Sequence, residues 1–291
     1  MMHIFRKKNK WIRSFVTSAK CYCINNCPEY ILKPAVIAFR KIKGILYRID
    51  MLLFSEKMTG YCPCCGLKFR TFAEGNYLKQ PNRYNSSRYI DMRQDVLCPF
   101  CKSMPRHRIL AMWCNQHKKL LRSSRILYFA PEKSMMLWMK RSGITCTTAD
   151  LYSEAVDLKI DIQATGLPDA SFDMIICNHV LEHVDDFRIA LKEIYRILPF
   201  GGSLICSFPM DPKVKLLDED PSIQSAEQRV QRFGQNDHKR VFGMDAEWFL
   251  TETGFTVEKI SGETFPEIIL PIVGPGDYDM NCLFYCKKRC I

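Results

Sequence analysis

Four phrases decide how this chain folds: Arg125-Ile126-Leu127-Tyr128-Phe129-Ala130-Pro131-Glu132-Lys133-Ser134, Thr148-Ala149-Asp150, Leu167-Pro168-Asp169-Ala170-Ser171-Phe172-Asp173, and Asn178-His179-Val180-Leu181-Glu182-His183. Apolar runs rich in β-formers, Ile126 to Phe129, Met174 to Cys177 and Ser203 to Phe208, alternate with stretches of helical period. That alternation predicts parallel strands joined by crossover helices. A sheet of this kind binds ligands at the carboxyl ends of its strands, which is where these phrases fall.

The expected order is a strand over 125–129, a helix over 133–141 stopped by Gly143, a strand over 144–148 and a strand over 157–161. A strand over 172–177, a helix over 185–198 and a strand after Gly201-Gly202 follow. Phe187, Ala190, Leu191, Ile194 and Leu198 form the buried stripe of the second helix. A last helix over 245–253 precedes a closing antiparallel pair, Phe255 to Ile260 with Cys282 to Cys286.

These phrases resemble the core of class I S-adenosylmethionine (SAM) methyltransferases, the broad group that includes ubiquinone, sterol and sugar methyltransferases, and in particular those of the methyltransferase type 11 kind. The resemblance rests on Asp150, on Leu167 to Asp173, and on Leu198-Pro199-Phe200-Gly201-Gly202. It implies an α/β fold: a Rossmann-like class I methyltransferase sheet with helices on both faces, preceded by a small zinc ribbon and an N-terminal amphipathic helix. It implies that Asp150 accepts the ribose hydroxyls of SAM, that Asp161 and Ile162 hold the adenine, and that Asn178 and His179 face the methyl end.

The glycine-rich cofactor turn of that group aligns with Tyr128 to Ser134, where no glycine occurs. Ala130 and Ser134 stand in as small residues, and Glu132 places a carboxylate near the expected α-ammonium of SAM. A subset of bacterial methyltransferases is similar in having Ala-Pro-Glu in this turn, a zinc ribbon ahead of it and a Phe-Gly-Gln-x-Asp-His-x-Arg phrase behind it. Here the last reads Phe233-Gly234-Gln235-Asn236-Asp237-His238-Lys239-Arg240.

Ahead of the sheet, Cys62-Pro63-Cys64-Cys65-Gly66 and Cys98-Pro99-Phe100-Cys101-Lys102 form two Cys-x-x-Cys knuckles. Their spacing predicts one structural zinc held by Cys62, Cys65, Cys98 and Cys101, with Cys64 a bystander. Four protein ligands leave no open position for catalysis. Phe69, Arg70, Phe72, Tyr77, Arg83, Tyr84, Arg88 and Tyr89 lie between the knuckles and read first as strand-packing residues, second as a nucleic-acid or glycan surface. Residues 103–119 read as a linking helix whose opening Arg106-His107-Arg108 is expected in solvent.

The 291 residues carry 47% hydrophobic content, enough for a real core. Net charge is +11, and twelve basic residues against three acidic ones place +9 of it in the first sixty residues. The remainder is nearly balanced, which argues against a nucleic-acid groove on the sheet domain. Paired cysteine spacing in a chain of this length favours reduced thiols and metal over disulfides, and places the protein in the cytoplasm.

The expected organisation is a basic helical extension over 1–60, a zinc ribbon over 61–104, a linker helix over 105–124 and the methyltransferase domain over 125–291. A lid is expected over 209–243, and a second over 266–279. Ile42, Ile45, Leu46, Ile49, Leu52 and Leu53 give the extension an apolar face that packs on protein or lies on an anionic membrane, which would make the protein peripheral at the inner membrane face. Cys21, Cys23 and Cys27 have no metal spacing.

Functionally, the sequence predicts methyl transfer from SAM to a small-molecule or glycan-linked acceptor. His238 is the candidate general base, His179 and His183 are its catalytic companions, and Asp237 or Glu182 would orient it. Pinning of the lid by His238 and Arg240 is the competing role. Two other functions compete: RNA methylation, and a non-catalytic zinc-ribbon interaction protein whose cofactor turn has lost its glycines.

Overall fold

The computed structural model describes residues 60–70, 72–73, 97–210, 214–266, 269 and 282–289. The basic extension, Cys21, Cys23, Cys27, the aromatic and basic residues from Tyr77 to Tyr89, and nearly all of the second lid lie outside them.

A short antiparallel pair opens the described chain, β1 (Gly60–Cys62) with β2 (Leu67–Phe69). Helices α1 (Pro105–Gln116) and α2 (Lys118–Arg122) follow, where a single helix was expected. His117 leaves helical geometry between them and stacks on Trp113, with ring centroids 4.1 Å apart. The sheet domain then runs β3 (Ile126–Phe129), α3 (Lys133–Ser142), β4 (Thr147–Asp150), β5 (Leu158–Lys159), β6 (Met174–Asn178), α4 (Phe187–Ile197) and β7 (Ser203–Ser207). Next come β8 (Asp218–Glu219), α5 (Ala226–Phe233), β9 (Arg240–Val241), α6 (Ala246–Glu252), β10 (Phe255–Ile260) and β11 (Leu283–Lys288).

The seven-stranded sheet has the order β10-β11-β7-β6-β3-β4-β5. Strands β5, β4, β3, β6 and β7 are parallel, while β11 runs antiparallel between β7 and β10. From β3 the chain winds out through β4 and β5, then returns to the other side of β3 for β6 and β7. The switch point therefore lies between β3 and β6, and its carboxyl edge is where a doubly wound sheet binds its ligand.

Because strand side chains alternate, β3 feeds two cores. Ile126 and Tyr128 join Met174, Ile176 and Ile205 against α1 and α3, in a cluster that also takes in Cys62, Phe69, Cys98, Trp113 and Trp138. Leu127 and Phe129 join Ile175, Cys177, Leu204 and Cys206 against the stripe of α4, which is Phe187, Ala190, Leu191, Ile194 and Ile197. The knuckle residues Cys62 and Cys98 and the β2 residue Phe69 thus share a core with one face of the sheet. Phe69 meets Phe72 edge-on at 4.7 Å, so these two aromatics pack as strand residues do.

The strand expected over 144–148 begins later, at Thr147. Gly143 ends α3 in the left-handed region at φ 63°, and the Ile144 N–H donates back to the Met139 carbonyl at 3.0 Å. That is a Schellman closure, which spends Ile144 on the helix end and shifts the strand so that Asp150 is its final residue.

Candidate functional site

At the carboxyl edge, Ala130 follows β3 in the left-handed region, at φ 47°. Its N–H donates to the Ala149 carbonyl at 2.8 Å, tying the turn to β4. A left-handed L-residue costs about 1–2 kcal/mol. The bend that glycine supplies elsewhere is thus retained here on an alanine, the smallest residue that carries a Cβ.

Two residues on, Glu132 stands at the N-cap position of α3, where its side chain makes no cap hydrogen bond, and gathers three side chains. His107 donates through Nε2 to Oε1 in a short hydrogen bond, Arg106 Nε reaches the same oxygen at 3.1 Å, and the Tyr128 hydroxyl donates to Oε2 at 3.4 Å. The His107 tautomer is fixed by its other nitrogen. Nδ1 accepts the Met104 backbone N–H at 3.0 Å and lies 2.9 Å from the Ser134 hydroxyl, so the ring proton sits on Nε2.

The first turn of α1 is therefore not the solvated turn expected of Arg106-His107-Arg108. His107 and Arg108 are buried, and Arg108 donates to the carbonyls of Ser103 and Ile269 and lies 4.4 Å over the Phe72 ring. The reason is long-range: Glu132 sits in the turn after β3, and a basic helix start is what neutralises it.

Burial alone would push the Glu132 carboxyl up; the hydrogen bond from His107 and the cationic charge around it outweigh this and hold it at about 2. A depressed carboxyl stabilises the fold above its unfolded value near 4.5, and that stabilisation fades as pH falls toward about 2. Linkage makes it worth about 3 kcal/mol. Denaturant unfolding of the wild type at pH 7, 4 and 3 should show this loss, and Glu132→Gln should lose less stability over the same range. Parallel pH profiles for the two proteins would contradict the pairing.

On β4, Asp150 uses one oxygen locally: Oδ1 accepts the N–H groups of Tyr152 at 2.7 Å and Ser153 at 2.8 Å. Its Oδ2 accepts no hydrogen bond among the described residues. Asp161 turns the chain after β5, with Oδ1 accepting the Gln163 N–H at 2.8 Å, and Ile162 beside it is buried in the α4-side core.

From β6, Asn178 takes the Ser207 hydroxyl on Oδ1 at 2.9 Å, and its buried Nδ2 has no partner of good geometry. His179 follows in the left-handed region, at φ 52°, with its N–H on the Ser207 carbonyl at 2.7 Å. The strain aims its ring at Glu182, whose Oε1 is 3.1 Å from His179 Nδ1, while the buried Nε2 is unpartnered.

Glu182 is fully buried and receives no hydrogen bond of good geometry. Burial pushes its carboxyl up; the interaction with His179 and the charges of His183 and His238 bring it below the ordinary range.

The segment after β7 brings His238 to the same place. Its ring packs edge-on against His183 at 4.8 Å, its Nε2 lies 2.7 Å from the Gln235 side-chain amide, and burial pushes its pKa down. Asp237 turns its carboxylate to His183, at 3.4 Å from Nδ1, rather than to His238. Arg240 fastens the segment: Nη1 donates to the carbonyls of Leu181 and Val184, Nη2 to that of Asp185, and Nε to Glu219. Sequence reasoning gave Gln235 only as part of the Phe233 to Arg240 phrase, and missed Ser207, which carries no signal apart from its neighbours in space.

The second cluster is Cys62, Cys65, Cys98 and Cys101, whose sulfurs all lie within 4.8 Å of one another. Cys62 and Cys101 are 3.6 Å apart, and Cys65 and Cys98 are 3.7 Å apart. A tetrahedral ion with metal–sulfur bonds of ~2.3 Å sets its sulfurs ~3.8 Å apart. The knuckles match in backbone as well. The N–H of Gly66 donates to the Cys62 carbonyl and that of Lys102 to the Cys98 carbonyl, and both residues have positive φ, 74° and 62°.

Cys64 lies outside the cluster, with its thiol near the His107 carbonyl at 3.5 Å. Four thiols packed this closely cannot all ionise without a cation among them. A dication would take every sulfur as thiolate.

Residues 132–206 match the methyltransferase domain family. Together with a parallel sheet closed by one antiparallel strand, this settles the architecture. The fold is that of the SAM-dependent methyltransferases.

Among solved structures, the chain is similar to the Burkholderia thailandensis 1,6-didemethyltoxoflavin-N1-methyltransferase bound to 1,6-didemethyltoxoflavin and S-adenosylhomocysteine, at 15% identity over 64% of this chain and 77% of that one, TM-score 0.42. It is similar to a SAM-dependent methyltransferase from Archaeoglobus fulgidus at 14% identity, over 62% and 94%, TM-score 0.41. The [4+2]-cyclase SpnF is similar at 12% identity, over 85% and 96%, TM-score 0.44. The comparison with curated proteins found no match.

Proposed function

We propose that this chain transfers a methyl group from SAM to an oxygen of a small-molecule or glycan-linked acceptor. The observation that carries the proposal is the carboxyl edge around the switch point. It combines a left-handed Ala130 turn, a carboxylate with an uncommitted oxygen at Asp150, and a buried Asn178 amide whose Nδ2 has no partner of good geometry.

These groups fit the cofactor. Asp150 Oδ2 would accept the ribose hydroxyls, Asp161 and Ile162 would border the adenine, and the anionic Glu132 would hold the α-ammonium beside the Ala130 turn. Asn178 would donate through Nδ2. When bound, SAM supplies a methyl group on an electrophilic sulfonium.

The remaining residues serve the acceptor. His179 has the geometry of a base: Nδ1 faces Glu182, which fixes the ring, and the bare Nε2 is left to take a proton. His238 is less free to do this, with its Nε2 against Gln235. In the proposed step the acceptor hydroxyl passes its proton to His179 Nε2 and its oxygen pair forms the new O–CH3 bond. The pair of the broken S–CH3 bond stays on sulfur. In-line approach, set by the walls of the site, does the rest.

The same reading gives Cys62, Cys65, Cys98 and Cys101 one structural zinc, a closed site with no chemistry of its own.

Asp150→Ala should weaken SAM binding by roughly 1.5–3 kcal/mol, the range for hydrogen bonds to a charged group, while thermal stability stays close to wild type. Calorimetric titration of both proteins measures it, and unchanged affinity would remove the ribose role from Asp150.

A further inference from the structure

We propose that Glu182, His183 and His238 form a second metal site, for a first-row divalent transition ion, beside the His179 base. This rests on the methyl-transfer reading for its chemistry, but not for its geometry. One ligand atom from each residue lies within 4.8 Å of the other two. His183 Nε2 is already 3.8 Å from Glu182 Oε1.

Independent of that spacing, Glu182 is under-satisfied. It is fully buried among three imidazoles, with His179 Nδ1 3.1 Å from Oε1 and no partner on Oε2. A buried carboxylate so poorly hydrogen-bonded is costly unless paired with a cation or bound to a metal. His238 is buried as well, and a neutral imidazole is the form in which histidine binds a metal.

Outer contacts are in place too. Asp237 Oδ2 and the Asp237 carbonyl approach His183 Nδ1 at 3.4 and 3.3 Å, leaving Nε2 toward Glu182, and Arg240 locks the backbone that carries Glu182 and His183. Partners of this kind orient metal-binding histidines.

Two imidazoles and one carboxylate suit zinc, manganese, iron(II) or cobalt better than magnesium, and three protein ligands leave positions open. An acceptor hydroxyl that reaches such an ion has its pKa lowered, which eases the proton transfer to His179. The inferred substrate class is therefore an oxygen acceptor. Glu182 would serve both partners, orienting His179 and binding the ion.

The test is a metal count on the full chain after dialysis against excess zinc sulfate and gel filtration. About two zinc ions per chain are expected for the wild type and about one for the double variant His183→Ala, His238→Ala, the latter retained by the cysteines. Equal counts in the two proteins would overturn the site.

Should the double variant not fold, cobalt(II) titration of the wild type decides. Thiolate charge-transfer bands should saturate with one equivalent, and weaker visible bands of a nitrogen and oxygen site with a second. A single class of bands would overturn it. Calorimetry with SAM on the same samples separates the two ideas. Cofactor binding by a chain with one metal sinks the second site alone, and no cofactor binding sinks methyl transfer whatever the metal count.

Discussion

If Cys62, Cys65, Cys98 and Cys101 hold zinc as proposed, Cys98→Ser should leave the purified chain without that metal and with the two knuckles loosened. Structural zinc contributes on the order of 10 kcal/mol, against a total stability of about 5–15 kcal/mol for a domain. The damage should not stop at the knuckles. Cys62 and Cys98 pack in one cluster with Trp113, Trp138 and Tyr128, so the loss reaches the helices that back the cofactor turn.

Ser103 makes the link explicit, with its hydroxyl 3.1 Å from the Cys62 sulfur and its carbonyl accepting from Arg108. Metal analysis with thermal unfolding, with and without a chelator, reads the effect. Cys64→Ser, whose residue lies outside the cluster, should keep its metal. A metal-free, folded Cys98→Ser protein with the wild-type midpoint would contradict the zinc assignment.

Arg240→Ala should cost about 3–5 kcal/mol, the range for leaving buried polar partners of a removed charge uncompensated. The guanidinium is 1% exposed, and its removal strips donors from the carbonyls of Leu181, Val184 and Asp185 and from Glu219 Oε1. Lysine cannot replace a fork that reaches several acceptors. Arg240→Lys should therefore recover only part of the loss. Urea unfolding measures the cost, and hydrogen exchange should show faster opening at residues 181–185 and 238–241. A change below about 1 kcal/mol, the usual scale of a surface contact, would mean that the segment is held by its apolar contacts instead.

Much of this architecture was legible because it is written in local chemistry. The β3, β6 and β7 runs are apolar on both faces, as strands covered by helices on both sides must be. The stripe of α4 marks its helix unaided. Cysteine spacing alone brought four sulfurs into one list.

What escaped depended on contacts between distant residues. Nothing near Arg106-His107-Arg108 announces that Glu132 will sit against it, so a buried ion-pair hub read as a solvated helix start. Ile144 has strand propensity, yet the left-handed Gly143 recruits its N–H to the helix end. Ala130 was legible as a small stand-in for a glycine of the turn, but not the left-handed bend it adopts at some cost in strain. The surroundings of the three histidines were hidden as well, because His179, His183 and His238 are alike in sequence. Only their partners distinguish them: Glu182 and a bare Nε2 for His179, Asp237 for His183, Gln235 for His238.

The most direct test of the account is calorimetric titration of the zinc-loaded, full-length chain with SAM and with S-adenosylhomocysteine. A chain that uses Ala130, Glu132, Asp150 and Asn178 to hold the cofactor should bind both in the micromolar range, about 8 kcal/mol of binding free energy. A folded, metal-loaded sample that binds neither would contradict the account, and would leave the sheet a scaffold for interaction rather than for methyl transfer.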